Sequence, residues 1–478
     1  MTNKCQQFRL MRRKKNKEFN NITIERVGSK GKSIGTADDG KTIIIEGGAP
    51  GDLVNILTTK QRKSYYQGKI TEFHKYSDIR TKPKCEHFGI CGGCKWQHIK
   101  YEEQLKFKED EVKNNLVRIG NLTLPKITPI KGAVNNYFYR NKMEYSFSDS
   151  RWLSLDEIKS KKIIKEKNAL GFHIPGMWNK VVDINKCWLQ EDITNTLRNS
   201  VKDFSIKNNI PFFNHSNQTG DLRTLMIRTT STNEVMVLIQ FYTDNKKNRE
   251  LLLDFLIEEF PNINSLLYVV NNKANDTIYD QEVKTYYGNS FITEKMEGLE
   301  FKINAKSFYQ TNSDQAYELY KIVREISDLK SSDIVYDLYT GTGTIALFIS
   351  KNVKKVVGIE AVPDAIAAAK ENAINNKILN TDFHVGDMKS VFNDDFIKLN
   401  GNPDVIITDP PRDGMHKKVI QQIKDISPKK IVYVSCNSAT QARDLELLKD
   451  EYSLIISQAV DMFPQTHHVE NVVLLKKK

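Results

Sequence analysis

The chain has 478 residues, a formal net charge of +12 at pH 7 and a mean hydropathy of -0.50. Its length exceeds what one hydrophobic core normally serves and predicts about three domains. No apolar run approaches the roughly 20 residues that span a bilayer, and the basic N-terminus lacks the apolar segment of a secretory signal, so we expect a cytoplasmic protein with no membrane partner. The positive charge, with a pI near 9.1, is typical of proteins that bind nucleic-acid phosphates.

Two segments make up the N-terminal 77 residues. Residues 1–17 contain seven lysines and arginines, which indicates either a disordered arm that contacts phosphates or a tail that only adds solubility. Residues 18–77 alternate short β-rich runs with glycine turns and predict a small barrel. The run DGKTIIIEGGAPGD at 39–52 resembles the TRAM domain, an OB-like RNA-binding module. A barrel without a ligand is the alternative.

Three of the six cysteines, Cys85, Cys91 and Cys94, lie within ten residues and indicate a metal site. The glycines between them let the loop curl, so that several thiolates can converge. A fourth ligand is needed, and Cys187 is the best remaining candidate. Four thiolates suit an iron–sulfur cluster or zinc, and the spacing alone is compatible with both.

Residues 78–303 are predicted to form a central α+β domain. A helix over 97–120 has an apolar stripe and is expected to pack on the catalytic domain. The stripe consists of Tyr101, Leu105, Val112, Leu116 and Ile119. Residues 151–168 of the same domain are rich in lysine and resemble an insertion.

Residues 304–478 alternate strand and helix signals, which predicts a doubly wound parallel sheet. The first turn runs from Asp337 to Gly343 and carries Gly341, and the second strand ends at Glu360, where a carboxylate can bind a ribose diol. This turn fits NAD as well as S-adenosylmethionine. The acidic residue at its start favours S-adenosylmethionine, because it repels a pyrophosphate and attracts the sulfonium and ammonium groups.

Two further strand ends carry chemistry. The fourth strand ends in Asp409-Pro410-Pro411-Arg412, where many amino-methyltransferases have an aromatic ring that stacks on the target base, so the arginine indicates a different reaction. Cys436 ends the apolar run 431–435. Ligands of open α/β sheets bind beyond the carboxyl ends of the strands, which makes this thiol a candidate nucleophile. The ordinary interpretation of a lone cysteine beside a strand is a small core residue.

The ordered motifs resemble the RNA uracil-5-methyltransferases, and most closely the ribosomal RNA branch that couples a TRAM domain to a [4Fe-4S] cluster. The resemblance runs from about residue 17 to the C-terminus. It implies a Rossmann-like class I methyltransferase domain over 304–478, S-adenosylmethionine and a [4Fe-4S] cluster as cofactors, and RNA, favouring 23S ribosomal RNA, as the partner of a monomeric enzyme. The motifs are the cysteine set, YRNKME at 139–144, FYQTN at 308–312, DLYTGTGT at 337–344, DPPR at 409–412, SCN at 435–437 and HVE at 468–470.

The resemblance also implies roles for individual residues. The Cys436 thiolate adds to uracil C6 and makes C5 nucleophilic towards the methyl group, and Glu470 then removes the C5 proton. His467 and His468 are competing bases. The cofactor is held by Gln310, Tyr339 and Glu360 together with Asp337, Gly341 and Gly343, Asp409 contacts the base or the cofactor, and the cluster is held by Cys85, Cys91, Cys94 and Cys187.

One departure from the family is Ser438, which follows Asn437 where the family usually has proline. We expect Ser438 to act as the N-cap of the next helix and the activity to survive. Three other interpretations stay open at this point: the same chemistry on transfer RNA, a non-catalytic iron–sulfur protein that binds RNA, and an iron–sulfur oxidoreductase that uses NAD.

Overall fold

A computed structural model describes residues 16–125, 128–160 and 163–478. All but the last two residues of the predicted basic arm, 1–17, lie outside the described residues. The chain divides into two compact units. The first extends to Pro83 and includes Lys95–Glu103, and the second consists of Lys84–Cys94 and Gln104–Lys478.

The first unit is built on one six-stranded sheet with the order β1-β5-β6-β4-β3-β2. Alternate residues of β4 and β5, such as Ile43 and Val54, are buried in its core, as the period of a half-buried strand requires. Asp52, which ends the DGKTIIIEGGAPGD run, is buried and accepts two hydrogen bonds from Arg80, at 2.8 and 2.7 Å. The strands are β1 (Glu18–Thr23), β2 (Arg26–Val27), β3 (Ser33–Thr36), β4 (Thr42–Glu46), β5 (Leu53–Gln61) and β6 (Tyr65–Lys75), with a 3₁₀ turn at Ser29–Gly31.

The long helix α1 (Tyr101–Arg118) is followed by the short strand β7 (Thr128–Lys131). The stripe predicted for this helix is partly wrong: Val112 and Leu116 are buried, but Ile119 is exposed. The buried face is instead completed by polar residues, Gln104 and Lys108. Lys108 is buried because it pairs with Asp461, a contact that the apolar pattern of the helix cannot predict.

A seven-stranded sheet follows, with the order β10-β9-β8-β11-β12-β13-β14. One face packs against α3 and α4. The elements are β8 (Lys142–Ser148), α2 (Leu155–Ser160), β9 (Ala169–Ile174), β10 (Met177–Asp183), α3 (Asp192–Lys207), β11 (Leu222–Thr229), β12 (Val235–Phe241), α4 (Lys246–Glu259), β13 (Ile263–Val270) and β14 (Lys284–Gly288). Helix α2 lies within 151–168, the segment that resembles an insertion.

The C-terminal part contains a hairpin and the doubly wound sheet, which has eight strands in the order β19-β18-β17-β20-β21-β23-β22-β7. Strands β17 to β21 are parallel, and β23 is antiparallel to both its neighbours. The elements are β15 (Phe291–Met296), β16 (Leu299–Asn304), α5 (Ser313–Ser327), β17 (Ile334–Leu338), α6 (Thr344–Ile349), β18 (Lys355–Glu360), α7 (Pro363–Asn375), β19 (Thr381–Val385), α8 (Met388–Val391), α9 (Asp394–Asn400), β20 (Val405–Thr408), α10 (Lys417–Ile426), β21 (Lys430–Ser435), α11 (Ser438–Leu448), β22 (Tyr452–Val460) and β23 (Glu470–Lys477), with a 3₁₀ turn at Ser350–Asn352.

The two sheets of the second unit share a core. Met226 and Leu238 of the seven-stranded sheet belong to the same buried cluster as Phe301 of the hairpin and Val335 of β17. Strand β7 also crosses the predicted boundary at 303/304, because it pairs in parallel with β22 at the edge of the eight-stranded sheet. None of the helices in the described part of the chain is long and apolar enough to cross a membrane.

Candidate active site

The candidate site lies at the carboxyl edge of the parallel strands. Glu360 is the last residue of β18, and Asp409 follows β20 directly. Cys436 follows β21, and Glu470 begins the antiparallel β23, whose pairing sets Ser435 opposite Asn471. Because parallel strands end at the same edge and β23 starts there, these residues lie along one edge of the sheet.

Asp337, on the central strand β17, is the deepest acid of the site. One carboxylate oxygen accepts a 2.5 Å hydrogen bond from the Thr340 hydroxyl, and the other is buried with no hydrogen-bond partner in the described part of the chain. Burial raises the pKa of Asp337 to about 7, and the nearby Glu360 raises it further. A buried oxygen that lacks a donor is suited to the positively charged groups of a bound ligand.

The turn after β17 is shaped by positive backbone angles. Tyr339, Gly341 and Gly343 have φ values of 65°, 57° and 77°, a region that costs a tyrosine free energy and that clusters at functional sites. A Cβ at Gly341 would meet no atom within 4 Å, so its backbone borders open space. The Gly341 amide donates a 3.2 Å hydrogen bond to the carboxylate of Glu360, which also accepts from the amides of 361 and 362. The turn and the end of the second strand are thus joined by a hydrogen bond, next to open space at Gly341.

Gln310 reaches the same turn through the segment that precedes α5. The Thr342 hydroxyl donates to the Phe308 carbonyl over 3.4 Å, and the Asn141 amide donates to the Gln310 carbonyl over 3.0 Å. Asn312 caps α5 and donates to the Met462 carbonyl. The predicted Gln310 segment therefore lies between the glycine turn and the chain that leads to β23.

Asp409 and Glu470 form a coupled acidic pair beside Asp337. Burial raises the pKa of Glu470, and the negative charge of Asp409 raises it further. Burial likewise raises the pKa of Asp409, and the negative charge of Asp337 raises it further. Part of the Asp409 surface is exposed. Like charges that share a desolvated site hold protons above the ordinary carboxyl range, so these acids exchange protons near neutrality.

The Cys436 thiol is partly buried and faces this acidic pair. Burial raises its pKa to about 11, and the charges of Glu470 and Asp409 raise it further. The positive charge of the Arg412 guanidinium opposes this rise. The sequence identified Arg412 as a departure from the aromatic motif without assigning it a role. The structure places this positive charge beside the thiol.

Ser438 does not cap α11, contrary to the sequence prediction. Asn437 is the N-cap, since its side chain accepts from the Ala439 amide at 3.2 Å, and Ser438 is the first helical residue. This is the position where proline is favoured, which accounts for the residue found in the family. The Ser438 hydroxyl accepts a 2.8 Å hydrogen bond from the Asn115 side chain of α1, a contact that proline cannot make.

The segment 461–466, which leads into β23, is held by several polar contacts. Lys108 and Asp461 are both fully buried and form an ion pair of 2.5 Å, and the Lys108 ammonium also donates to the Phe463 carbonyl. The Gln104 side chain donates to that of Gln465 at 3.0 Å, and the Tyr139 hydroxyl donates to the Pro464 carbonyl at 3.0 Å. The chain that leads to Glu470 is therefore held in place before β23 begins.

The cysteine set lies in another part of the second unit. Burial raises the pKa of Cys85 to about 11, and Cys91 and Cys187 raise it further, so these thiols are near neighbours. Burial raises the pKa of Tyr137 to about 12, and the charges of Cys94 and Cys85 raise it further. Cys94 therefore lies near the same group of thiols. None of these four cysteines forms a disulfide bond within the described ranges.

The surroundings of the cysteines show how the fold gathers them. The His87 imidazole accepts from the amide of Asn185 at 3.1 Å, and the Cys187 amide donates to Asn195 at 2.8 Å. The thiol set fits a thiolate-bound group in its chemistry. In the ranges 16–125, 128–160 and 163–478, however, no three His, Cys, Asp or Glu side chains are placed to hold a metal ion.

The strand order, the glycine turn and the strand-end carboxylates define a class I methyltransferase domain that uses S-adenosylmethionine. A solved structure with the same fold, with a TM-score of 0.72 and 27% identity, covers 95% of this chain and 99% of its own. It is the tRNA (uracil-54, C5)-methyltransferase of Pyrococcus abyssi in complex with S-adenosyl-L-homocysteine.

Sequence comparison agrees with this. The model of the tRNA (uracil-5-)-methyltransferase family matches residues 280–478, and that of the TRAM domain matches residues 13–71. An uncharacterized RNA methyltransferase of Bacteroides thetaiotaomicron is 50% identical and covers 94% of this chain and 100% of its own length. Another, from Porphyromonas gingivalis, is 49% identical over 95% of this chain and 99% of its own length. The chain belongs to the family of RNA uracil-5-methyltransferases that carry a TRAM domain.

Proposed function

We propose that the protein methylates C5 of a specific uridine in RNA through a covalent bond between Cys436 and uracil C6. One observation carries the proposal: the Cys436 thiol, the Glu470 carboxyl and the Arg412 guanidinium lie together at the strand edge beside the cofactor turn. The competing bases, His467 and His468, are less well placed, because their rings pack on each other with centroids 4.1 Å apart. The acids whose charges raise the pKa of the thiol are Glu470 and Asp409.

The first step belongs to Cys436. Uracil C5 is a weak nucleophile, and addition of the thiolate to C6 pushes an electron pair towards C5. The thiol has a raised pKa, so Arg412 acts by stabilising the thiolate when substrate is present. S-adenosylmethionine, when bound, supplies an electrophilic methyl group for C5. The C5–methyl bond forms as the methyl–sulfonium bond breaks.

The second step belongs to Glu470. Its carboxylate takes the C5 proton, the double bond between C5 and C6 returns, and the Cys436 sulfur leaves as a thiolate. A base is most effective when its pKa lies near the working pH, and the raised pKa of Glu470 moves it in that direction. Asp409, between Glu470 and Asp337, contacts the base or the cofactor.

The cofactor is assigned to the space framed by the glycine turn. We propose that Glu360 binds the ribose and that Asp337 attracts the positive end of the cofactor. Gln310 and Tyr339 are assigned to the same site. Gly341 lets the backbone approach the ligand, whereas a Cβ at Gly343 would meet Ala369 and Phe383 at 3.0 Å, so this glycine allows close packing of the turn. The unpartnered oxygen of Asp337 and the open space at Gly341 support this assignment.

We propose that Cys85, Cys91, Cys94 and Cys187 hold a [4Fe-4S] cluster. The influence of Cys91 and Cys187 on the pKa of Cys85, and the hydrogen bond between the loops of His87 and Asn185, support this. Methyl transfer moves no electrons overall, so the group serves to shape the surface that meets RNA. Iron and sulfide analysis after anaerobic purification tests the assignment: close to four of each per chain is expected, and stoichiometric zinc contradicts it.

The proposed substrate is 23S ribosomal RNA, which the protein modifies in the cytoplasm as a monomer. The [4Fe-4S] assignment and the TRAM domain together support the ribosomal branch. Transfer RNA is the second candidate, because the similar Pyrococcus abyssi structure is that of a tRNA methyltransferase. Mapping of 5-methyluridine in both RNA classes from a strain that lacks the protein decides between them, since the missing modification identifies the substrate.

The catalytic assignment is tested by Cys436→Ala. With S-adenosylmethionine and RNA from that strain, the wild type is expected to form 5-methyluridine and the variant to lose at least about 10⁴-fold in rate. Binding of S-adenosylmethionine to the variant is the control for folding, and preferential binding of NAD would favour an oxidoreductase. A variant that still forms 5-methyluridine contradicts the covalent mechanism, and a wild type inactive on every RNA favours a binding protein.

A further inference from the structure

A cavity lies on the seven-stranded sheet, outside the strand edge that carries Cys436. Its volume is about 150 Å³. Its floor is formed by side chains of β8, β11 and β12, such as Lys142, Glu144 and Gln240, on the face away from α3 and α4. Its wall is the loop between β13 and β14, at residues 276–279, together with Ala305. Lys142 and Glu144 belong to the YRNKME motif, whose role the proposed catalytic steps leave unexplained.

The floor of the cavity carries fixed polar groups. The Lys142 ammonium lies 2.6 Å from the Glu144 carboxylate, whose side chain is 55% exposed. Gln240 is buried, and its amide donates to the Asp276 carbonyl at 3.1 Å. The cavity therefore offers both hydrogen-bond donors and acceptors next to the apolar side chains of Met226 and Leu238. Such a mixture is typical of sites that bind a small polar ring.

The wall loop is held in place by the protein itself. The Arg223 guanidinium donates to the carbonyls of Asn271, Lys273 and Ala274, at 3.0, 2.7 and 3.0 Å. The Asn271 side chain donates to the Thr277 carbonyl at 3.1 Å. Because these bonds fix the loop, the cavity is formed before a ligand arrives, which lowers the entropy cost of binding.

The rim carries an aromatic ring that the fold leaves in solvent. Tyr279 lines the cavity and is 66% exposed. A cavity of about 150 Å³ accepts a six-membered aromatic ring such as benzene. Unlike an apolar cavity of that size, this one can hydrogen-bond the ring edge while Tyr279 contacts its face. A pyrimidine base has both the required size and the required edge.

Arg228 connects the cavity to the cofactor segment. It lies on the same strand as Met226, two residues on and hence on the same face of the sheet. Its guanidinium donates to the carbonyls of Asn304 and Ser307, at 3.2 and 2.7 Å, and its buried Nε has no hydrogen-bond partner within the described ranges. The chain from Ala305, which lines the cavity, to Gln310 spans at most about 17 Å, so the cavity lies no farther than this from the residue assigned to the cofactor.

We propose that this cavity binds an unpaired pyrimidine nucleotide of the substrate RNA, close to the uridine that is methylated. The proposal rests on the proposed function in that the ligand is part of the same RNA. It adds a second base-binding subsite, lined by Lys142, Glu144, Gln240 and Tyr279, to the catalytic one. An enzyme that holds a neighbouring base as well as the target recognises a particular loop, since a target uracil alone carries little sequence information.

The first test measures steady-state kinetics on RNA from the strain that lacks the protein. Tyr279→Ala is expected to raise KM for RNA about tenfold with kcat within twofold, because stacking contributes to binding and not to the chemical step. Tyr279→Phe keeps the ring and is expected to match the wild type. Tyr287→Ala, an exposed tyrosine of β14 outside the cavity, is the matched control and is expected to leave KM unchanged. An unchanged KM in Tyr279→Ala overturns the proposal.

The second test does not depend on catalysis. The Cys436→Ala variant is irradiated with RNA that contains 4-thiouridine or, in a second preparation, 5-iodocytidine, and the cross-linked peptides are mapped after trypsin digestion. A cross-link to the peptide between Lys273 and Lys284, lost in Tyr279→Ala, supports the subsite even if the wild type methylates no RNA. Cross-links confined to other peptides overturn the subsite, and the proposed function then stands or falls separately on the formation of 5-methyluridine.

Discussion

Two groups of buried acids in the second unit differ in what surrounds them. Asp461 is fully buried and paired with the ammonium of Lys108 at 2.5 Å. Glu470 begins the next strand and is also buried, but its closest charged neighbours are the acid Asp409 and the partly opposing Arg412. The first arrangement holds the chain in place. The second keeps protons available near neutrality at the cost of stability, which is the expected sign of a catalytic site.

The largest expected effect is on catalysis. Glu470→Gln keeps the shape of the side chain and removes the base, so release of the C5 proton is expected to slow about 10²- to 10⁴-fold. Because addition of Cys436 still occurs, a covalent protein–RNA complex is expected to accumulate and to be visible on a denaturing gel.

Asp461→Asn is the matched comparison for this variant. It changes an equally buried acid before the same strand and is expected to lower stability without accumulating a complex. A complex that accumulates equally in both variants, or in neither, would remove the distinction between the two acids.

The next effect is on stability. Lys108→Met leaves Asp461 buried without its cation, and the free energy of unfolding is expected to fall by about 3–5 kcal/mol. Chemical denaturation followed by circular dichroism measures the change. The double variant Lys108→Met, Asp461→Leu removes both buried charges and is expected to recover much of the lost free energy of unfolding.

Lys113→Met provides the control on the same helix. Lys113 pairs with Glu109 over 3.1 Å, but its side chain is 38% exposed, and the expected loss is at most about 1 kcal/mol. Equal losses for the two lysines would show that the Lys108 pair has no special role in holding segment 461–466.

A smaller effect is expected in the pH dependence of stability. The pKa of Glu470 in the folded protein lies above its ordinary value of 4.5, so the folded state binds the proton more tightly than the unfolded state. Stability is therefore lost as the pH rises from about 4.5 through the raised pKa. Glu470→Gln has no such loss, and its stability relative to the wild type is expected to increase with pH. Asp395→Asn changes an exposed acid and serves as the control, and a pH-independent difference for Glu470→Gln contradicts the raised pKa.

The smallest expected effect concerns Ser438. Ser438→Ala removes the hydrogen bond to Asn115 and is expected to cost about 1 kcal/mol, with the rate of methylation within a few-fold of wild type. The stability of Ser438→Pro is expected to be close to that of the wild type, because the favourable proline at the first helical position offsets the lost bond. Thermal melting and a methylation assay measure both. A loss of activity in both variants would show that the hydroxyl positions the nearby Cys436.

Local sequence patterns predicted the eight-stranded sheet, because each strand and its end are determined by residues that are close in sequence. Cys436, Asp409 and Glu360 were found at strand ends by this means. The partner of Lys108 could not be predicted, since Asp461 lies 353 residues away. The same holds for β7 at the sheet edge and for the role of Arg412, both of which arise from contacts between distant segments. The misplaced N-cap at Ser438 was a local error, because Asn437 is an equally good capping residue.

The central claim is the bond between Cys436 and uracil C6, and trapping tests it most directly. With RNA that contains 5-fluorouridine at the mapped position, methyl transfer leaves a C5 fluorine that Glu470 cannot remove as a proton, so the covalent complex is expected to persist. Mass spectrometry after digestion is expected to find the nucleotide on the peptide that contains Cys436, with one methyl group added. A stable complex attached to another cysteine, or no complex while ordinary RNA is methylated, would contradict the mechanism.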